Sequence, residues 1–206
     1  MDSASSDRRT ERTPLGRSAE NGLKIVITGG FGVGKTTLVR AVSDIRPLNT
    51  EEIMTRAGEG VDDISAVRDK TSTTVAFDFG RITLNERTVL YLFGAPGQER
   101  FWFLWERLFI GTLGAVVLVD TRRLADSWYA IDRLEQHGTP FIVARNRFEG
   151  PAHTLEQVRE ALDLPGHVPL VDCDARSRSS CKAVLLTLVK YLYGIAAAQQ
   201  NPEATP

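Results

Sequence analysis

Short apolar runs rich in Val, Ile and Leu alternate along this chain with longer stretches in which apolar residues recur every three or four positions. The first pattern suits strands buried on both faces and the second suits amphipathic helices, so their alternation predicts βα units around a mostly parallel sheet. Six strands are expected, over 23–28, 75–84, 88–93, 114–120, 141–145 and 168–172. Helices are expected over 34–44, 125–137, 155–162 and 180–198. Asn85 and Glu86 separate the second and third strands like a hairpin turn, which makes the second strand antiparallel to the others. The stretch 45–73 fits neither period, being rich in charge, Gly and Thr and longer than most loops inside compact domains; such length signals function or disorder.

Composition narrows the class. At 206 residues there is room for one α/β domain, expected over 22–198 between disordered tails at 1–21 and 199–206. Charge is balanced, 25 Lys plus Arg against 26 Asp plus Glu, so bulk electrostatics favours neither nucleic acid nor an anionic membrane as a partner. Two cysteines and three scattered histidines cannot assemble a four-ligand zinc site. The amino-terminal stretch has no apolar segment, and the apolar run from Ala183 to Leu192 is interrupted by Lys190 and far shorter than the roughly 20 residues of a spanning helix. A cytoplasmic location without direct membrane insertion is therefore expected.

The segment GGFGVGKT, Gly29 to Thr36, matches G-x-x-x-x-G-K-[ST] between an expected strand and an expected helix. Such a loop turns its backbone N–H groups, from Gly29, Phe31, Gly32, Val33 and Gly34 onward, toward phosphate oxygens at a helix N-terminus. Lys35 is placed to reach the β- and γ-phosphates, Thr36 to ligate Mg²⁺, and Thr37 to extend the same cradle. The plainer alternative is a glycine-rich βα turn with no ligand.

A P-loop alone also fits nucleotide kinases and ATPases; three further segments narrow the choice. Gly97-Gln98-Glu99-Arg100-Phe101 resembles the start of switch II in Ras-like GTPases, and Thr73 to Phe79, TTVAFDF, resembles the end of switch I. Asn146-Arg147-Phe148-Glu149 resembles the guanine-reading N-K-x-D motif, and Asp174-Ala175-Arg176 resembles S-A-K, whose alanine amide reads the guanine oxygen. The resemblance spans roughly residues 23–192 and is closest to bacterial small GTPases of the gliding-motility type and of actinobacterial conservon operons. It implies the three-layer Ras-like P-loop fold, GTP/GDP and Mg²⁺ as ligands, and a switch in signal transduction. It makes Gln98 the catalytic candidate beside Lys35, Thr74 the second metal ligand beside Thr36, and Gly97 the amide that meets the γ-phosphate. It also implies a roadblock-fold regulatory protein as partner, and a membrane histidine-kinase-like protein that would bring the chain to the membrane periphery. A carboxylate at Glu149 would accept hydrogen bonds from the guanine N1–H and 2-amino groups that adenine lacks, and Arg147 could cover the base face.

The departures bear on turnover, and beside a GTP-hydrolysing switch they keep open a guanine-nucleotide-dependent scaffold with negligible hydrolysis. Gly94 stands where switch II normally carries an aspartate that holds Mg²⁺ through water, and Thr73 stands where the gliding-motility type carries a cis-acting arginine. Phe31 occupies a P-loop position usually held by a small residue. Asp78, four residues after Thr74, is open to two readings: a water-mediated substitute for the lost carboxylate, or a side chain that pins a strand end. Last, in FWFLWERLF, Phe101, Trp105, Leu108 and Phe109 form a helical stripe toward the sheet, leaving Trp102 and Phe103 as a candidate docking surface or as further core.

Overall fold

In the computed structural model, residues 21–46, 48–49, 77–97, 105–150 and 153–200 are described. The core is one sheet whose strands run, in chain order, β1 (Asn21–Gly29), β2 (Leu48–Asn49), β3 (Asp78–Asn85), β4 (Thr88–Gly94), β5 (Gly114–Val119), β6 (Phe141–Asn146) and β7 (Leu170–Cys173). Across the sheet the order is β2-β3-β4-β1-β5-β6-β7. The expected α/β class and all six expected strands are present, and β3 alone runs against the rest, pairing antiparallel with both β2 and β4. The seventh strand, β2, was not expected: two residues carry no periodicity to read, and only the β3 edge makes them a strand.

Alternation decides which face each side chain covers. Along β1, Ile25 and Ile27 join Val116 and Leu118 of β5 on one face, beneath Leu38, Val39 and Val42 of α1 (Lys35–Val42). The long helix α5 (Arg178–Gln200) covers the same face with Cys181, Val184, Leu185 and Leu188. Val26, Val117 and Val143 point the other way, against α2 (Trp105–Phe109), α3 (Trp128–Gln136) and α4 (Leu155–Ala161). Every residue of β5 is buried, as a central parallel strand covered by helices on both sides requires. By length and composition α5 could cross a membrane, yet four of its apolar residues are committed to this core.

Some boundaries differ by a few residues from the expected ones. The helix expected from Ala125 opens instead as a 3₁₀ turn, Leu124–Ser127, before α3 begins at Trp128. β1 starts at Asn21 and α5 runs to Gln200. In α2, Trp105 and Phe109 are buried and meet edge-on at 5.9 Å, as the helical stripe requires. Trp105 also donates from Nε1 to the Pro96 carbonyl at 3.1 Å, tying this helix to the segment after β4. Phe101, Trp102, Phe103 and Leu104 lie outside the described residues.

The chain leaves β1 for one half of the sheet and later returns to β5 on its other side. The carboxyl end of β1 is thus a topological switch point, where open α/β sheets form their ligand crevice.

Candidate functional site

At that switch point, β1 passes into a loop that turns through Gly29, Gly32 and Gly34 at φ of 132°, 74° and 104° before α1 begins. Gly34 caps the helix in the left-handed region, with no side-chain cap and no acidic residue in the first turn. The first N–H groups of α1 are therefore left to an anion, whose charge the helix dipole favours. A Cβ at Gly34 would stand 2.6 Å from Asn146 Nδ2, so glycine is required by space as well as by φ.

Lys35 folds back over the loop, donating from Nζ to the carbonyls of Gly29 at 2.8 Å and Gly30 at 2.6 Å. Burial pushes its ammonium down to about 8, against an opposing pull from the Asp78 carboxylate. Gly97 presses on the same spot: a Cβ there would lie 2.6 Å from Lys35 Nζ and 2.8 Å from the Gly30 carbonyl. Thr36 donates from Oγ1 to Asp78 Oδ2 at 2.5 Å. Phe31 keeps its ring largely in solvent, 62% exposed, while its carbonyl accepts from Arg123 at 2.7 Å.

Beside this loop opens a cavity of about 560 Å³, lined among others by Gly32, Gly34, Thr37, Asn146, Arg147 and Glu149. Asn146 is the strut between its two halves. Its Nδ2 donates to the Val33 carbonyl at 2.9 Å, and its Oδ1 accepts from the Ala175 N–H at 3.0 Å. That second bond commits the Ala175 amide, expected as the guanine-oxygen reader, to Asn146. Arg147 donates its backbone N–H to the Cys173 carbonyl at 2.8 Å, holding the loop after β6 against β7. Asp174 turns its carboxylate back onto Arg176, accepting at 2.9 Å from the guanidinium Nε, and this contact holds the carboxyl below its ordinary range. Ala175 and Arg176 line the cavity beside Glu149, which is exposed at its mouth.

The structure thus gathers Gly29 to Thr37, Gly97, Asn146 to Glu149 and Asp174 to Arg176 at the carboxyl ends of β1, β4, β6 and β7. Thr74 and Gln98 lie outside the described residues. Sequence reasoning passed over Arg122, which is anchored by a two-point pair to buried Asp120 and sets its guanidinium 4.2 Å over the Phe148 ring, forming a wall of the cavity. The signal was the Thr121-Arg122-Arg123 run after β5, but its meaning depends on β5 neighbouring β1.

Residues 27–195 match the family described as conserved hypothetical ATP binding protein. The chain belongs to that family. Over 101 residues it is 33% identical to an uncharacterized protein of Methanocaldococcus jannaschii, covering 49% of this chain and 53% of that protein, so the chain spans about half the length of this curated relative. Among solved structures, it is similar to the FeoB G-domain from Methanococcus jannaschii, with a TM-score of 0.55 at 17% identity over 84% of this chain and 99% of that one. The G domain of the T. maritima FeoB iron transporter gives a TM-score of 0.57 at 16% identity over 83% and 99%. At such identities the likeness is one of fold: the chain has a P-loop G-domain fold.

Proposed function

We propose that this chain is a guanine-nucleotide switch that binds GTP and GDP with Mg²⁺ and hydrolyses GTP slowly. The observation that carries the reading is the Asn146 strut, which joins the phosphate loop at Val33 to the base-side loop at Ala175 around one cavity. Glu149 at the cavity mouth supplies a carboxylate for the N1–H and 2-amino donors of guanine, while the ring and guanidinium planes of Phe148 and Arg122 offer surfaces for a flat base. The Thr36 hydroxyl at the start of α1 suits a hard cation shared with phosphate oxygens.

Slow turnover is expected from the residues the sequence substitutes in its motifs, Gly94, Thr73 and Phe31. An arginine finger contributes about 10³ to 10⁵ in rate, and Thr73 occupies its cis position. By the resemblance of its motifs, the chain works through a roadblock-fold partner, from the cytoplasm or the periphery of a membrane carrying a histidine-kinase-like protein.

A second reading, an adenine nucleotide, is favoured by the family description and by the Ala175 amide being engaged with Asn146. The deciding experiment is release of bound nucleotide from purified protein by acid, followed by chromatography and competition of GDP against ADP. GDP released and preferred is expected; ADP or ATP released, or equal affinity for both, overturns the guanine reading.

A further inference from the structure

We propose that Asp78 is the metal-anchoring carboxylate of the phosphate site, supplied from β3 because β4 carries Gly94 where switch II normally has its aspartate. This rests on the nucleotide reading above and names a residue that reading leaves open. Three observations carry it. In the antiparallel β3–β4 pair, Asp78 stands directly opposite Gly94, and directly opposed residues project to the same face. A Cβ on Gly94 would come within 2.9 Å of Asp78 Cβ and 3.1 Å of its Oδ2, so position 94 has no room for a side chain while Asp78 is present. And the Asp78 carboxylate accepts from the Thr36 hydroxyl at 2.5 Å, the group that the P-loop motif assigns to the cation.

The two positions are therefore mutually exclusive: the carboxylate reaches the same corner of the site from the neighbouring strand. Mg²⁺ is held by one or two protein oxygens plus phosphate oxygens and water, so a threonine hydroxyl and one carboxylate are a sufficient protein contribution. If Asp78 served only to pin the strand end to α1, its removal would lower stability without altering the dependence of phosphate binding on metal.

The test measures pyrophosphate, GDP and ADP binding in EDTA and in Mg²⁺ for the parent, Asp78→Asn, and the swapped double variant Asp78→Gly with Gly94→Asp. Pyrophosphate has no base, so the metal increment is read apart from base preference; equal GDP and ADP affinities would defeat the guanine reading and leave this one standing. Asp78→Asn is expected to reduce the Mg²⁺-dependent gain by roughly 10- to 100-fold, the usual effect of losing a group that tunes a metal, with affinity in EDTA unchanged or higher. The swapped variant is expected to recover most of the gain. A full Mg²⁺ increment in Asp78→Asn, or no increment in the parent with any of the three ligands, overturns the proposal. Should Asp78→Asn fail to fold, the swapped variant decides: a folded protein without a metal increment counts against the assignment.

Discussion

Lys35 is a buried ammonium whose hydrogen-bond partners are two carbonyls, and its ionisation is linked to phosphate binding. Burial lowers it from 10.5 to about 8. Below pH 8 it is charged in the folded and unfolded chain alike, and the desolvation cost is fully present; between 8 and 10.5 the unfolded chain holds more protons, so stability rises with pH. Bound phosphate supplies the missing counter-charge and raises the lysine again, which makes affinity full below pH 8 and falling above it, by at most about tenfold per unit. Calorimetry of pyrophosphate or GDP binding in buffers of different ionisation enthalpy should show proton uptake near pH 8.5, abolished in Lys35→Met; pH-independent affinity from 7.5 to 9.5 would refute the linkage. Asn146→Ala removes the strut and leaves a buried carbonyl and amide unpaired, so a loss of about 1–3 kcal/mol is expected in urea unfolding, with Asn146→Asp failing to replace the donor to Val33. Lys35 and Asn146 were legible in the sequence because fixed spacings after a strand announce them. The Asp78–Gly94 exclusion and the Arg122–Phe148 wall were not, since each depends on strand register or strand order rather than on neighbours along the chain.

Elements were legible in proportion to how strongly their own residues specify them. β5 is apolar at every position and flanked by turns, so it could be read as a doubly covered strand. β2 exists only through pairing to β3, and the 3₁₀ turn before α3 arises where Ser127 and Asp126 sit in a segment packed over the phosphate loop, a contact no local pattern reports. α4 shows the opposite case: Thr154 and Gln157 form a reciprocal capping box, readable as T-x-x-Q before an apolar position. Thr154→Ala should cost roughly 0.5–2 kcal/mol by urea denaturation, and Thr154→Ser should recover most of it. No change in Thr154→Ala would mean that tertiary packing through Val158, which is buried against β7's side of the sheet, sets this helix without its cap. On the opposite face, α5 is anchored by Leu188, fully buried, and Leu188→Ala should cost about 2–5 kcal/mol. That cost would separate its role in the core from any role of its outward residues Leu186, Val189 and Tyr193, whose substitution by Ala should be nearly neutral.

For the whole molecule, the phosphate loop leaves β1 while the base-side loops leave β6 and β7, and β5 lies between them in the sheet. The halves of the site are joined beside the cavity by the Asn146 strut. A nucleotide filling that cavity would touch both halves, so it should stabilise the fold as a unit rather than one loop. Binding to the folded chain alone contributes about 2.7 kcal/mol at a ligand concentration of 100 times Kd. For a chain of this size 1 kcal/mol moves the melting temperature by roughly 2–4 °C, so saturating GDP with Mg²⁺ should raise it by roughly 5–10 °C. Pyrophosphate reaches only the β1 side, and at the same multiple of its own Kd it must give the same free energy, so the informative comparison is at equal millimolar concentration. There GDP should exceed pyrophosphate by the contribution of the base and ribose, and Glu149→Ala should shrink that excess while leaving the pyrophosphate shift unchanged. If GDP and pyrophosphate gave equal shifts at equal concentration in the parent, the loops after β6 and β7 would contribute nothing to binding, and the cavity beside the phosphate loop would not be a nucleoside site.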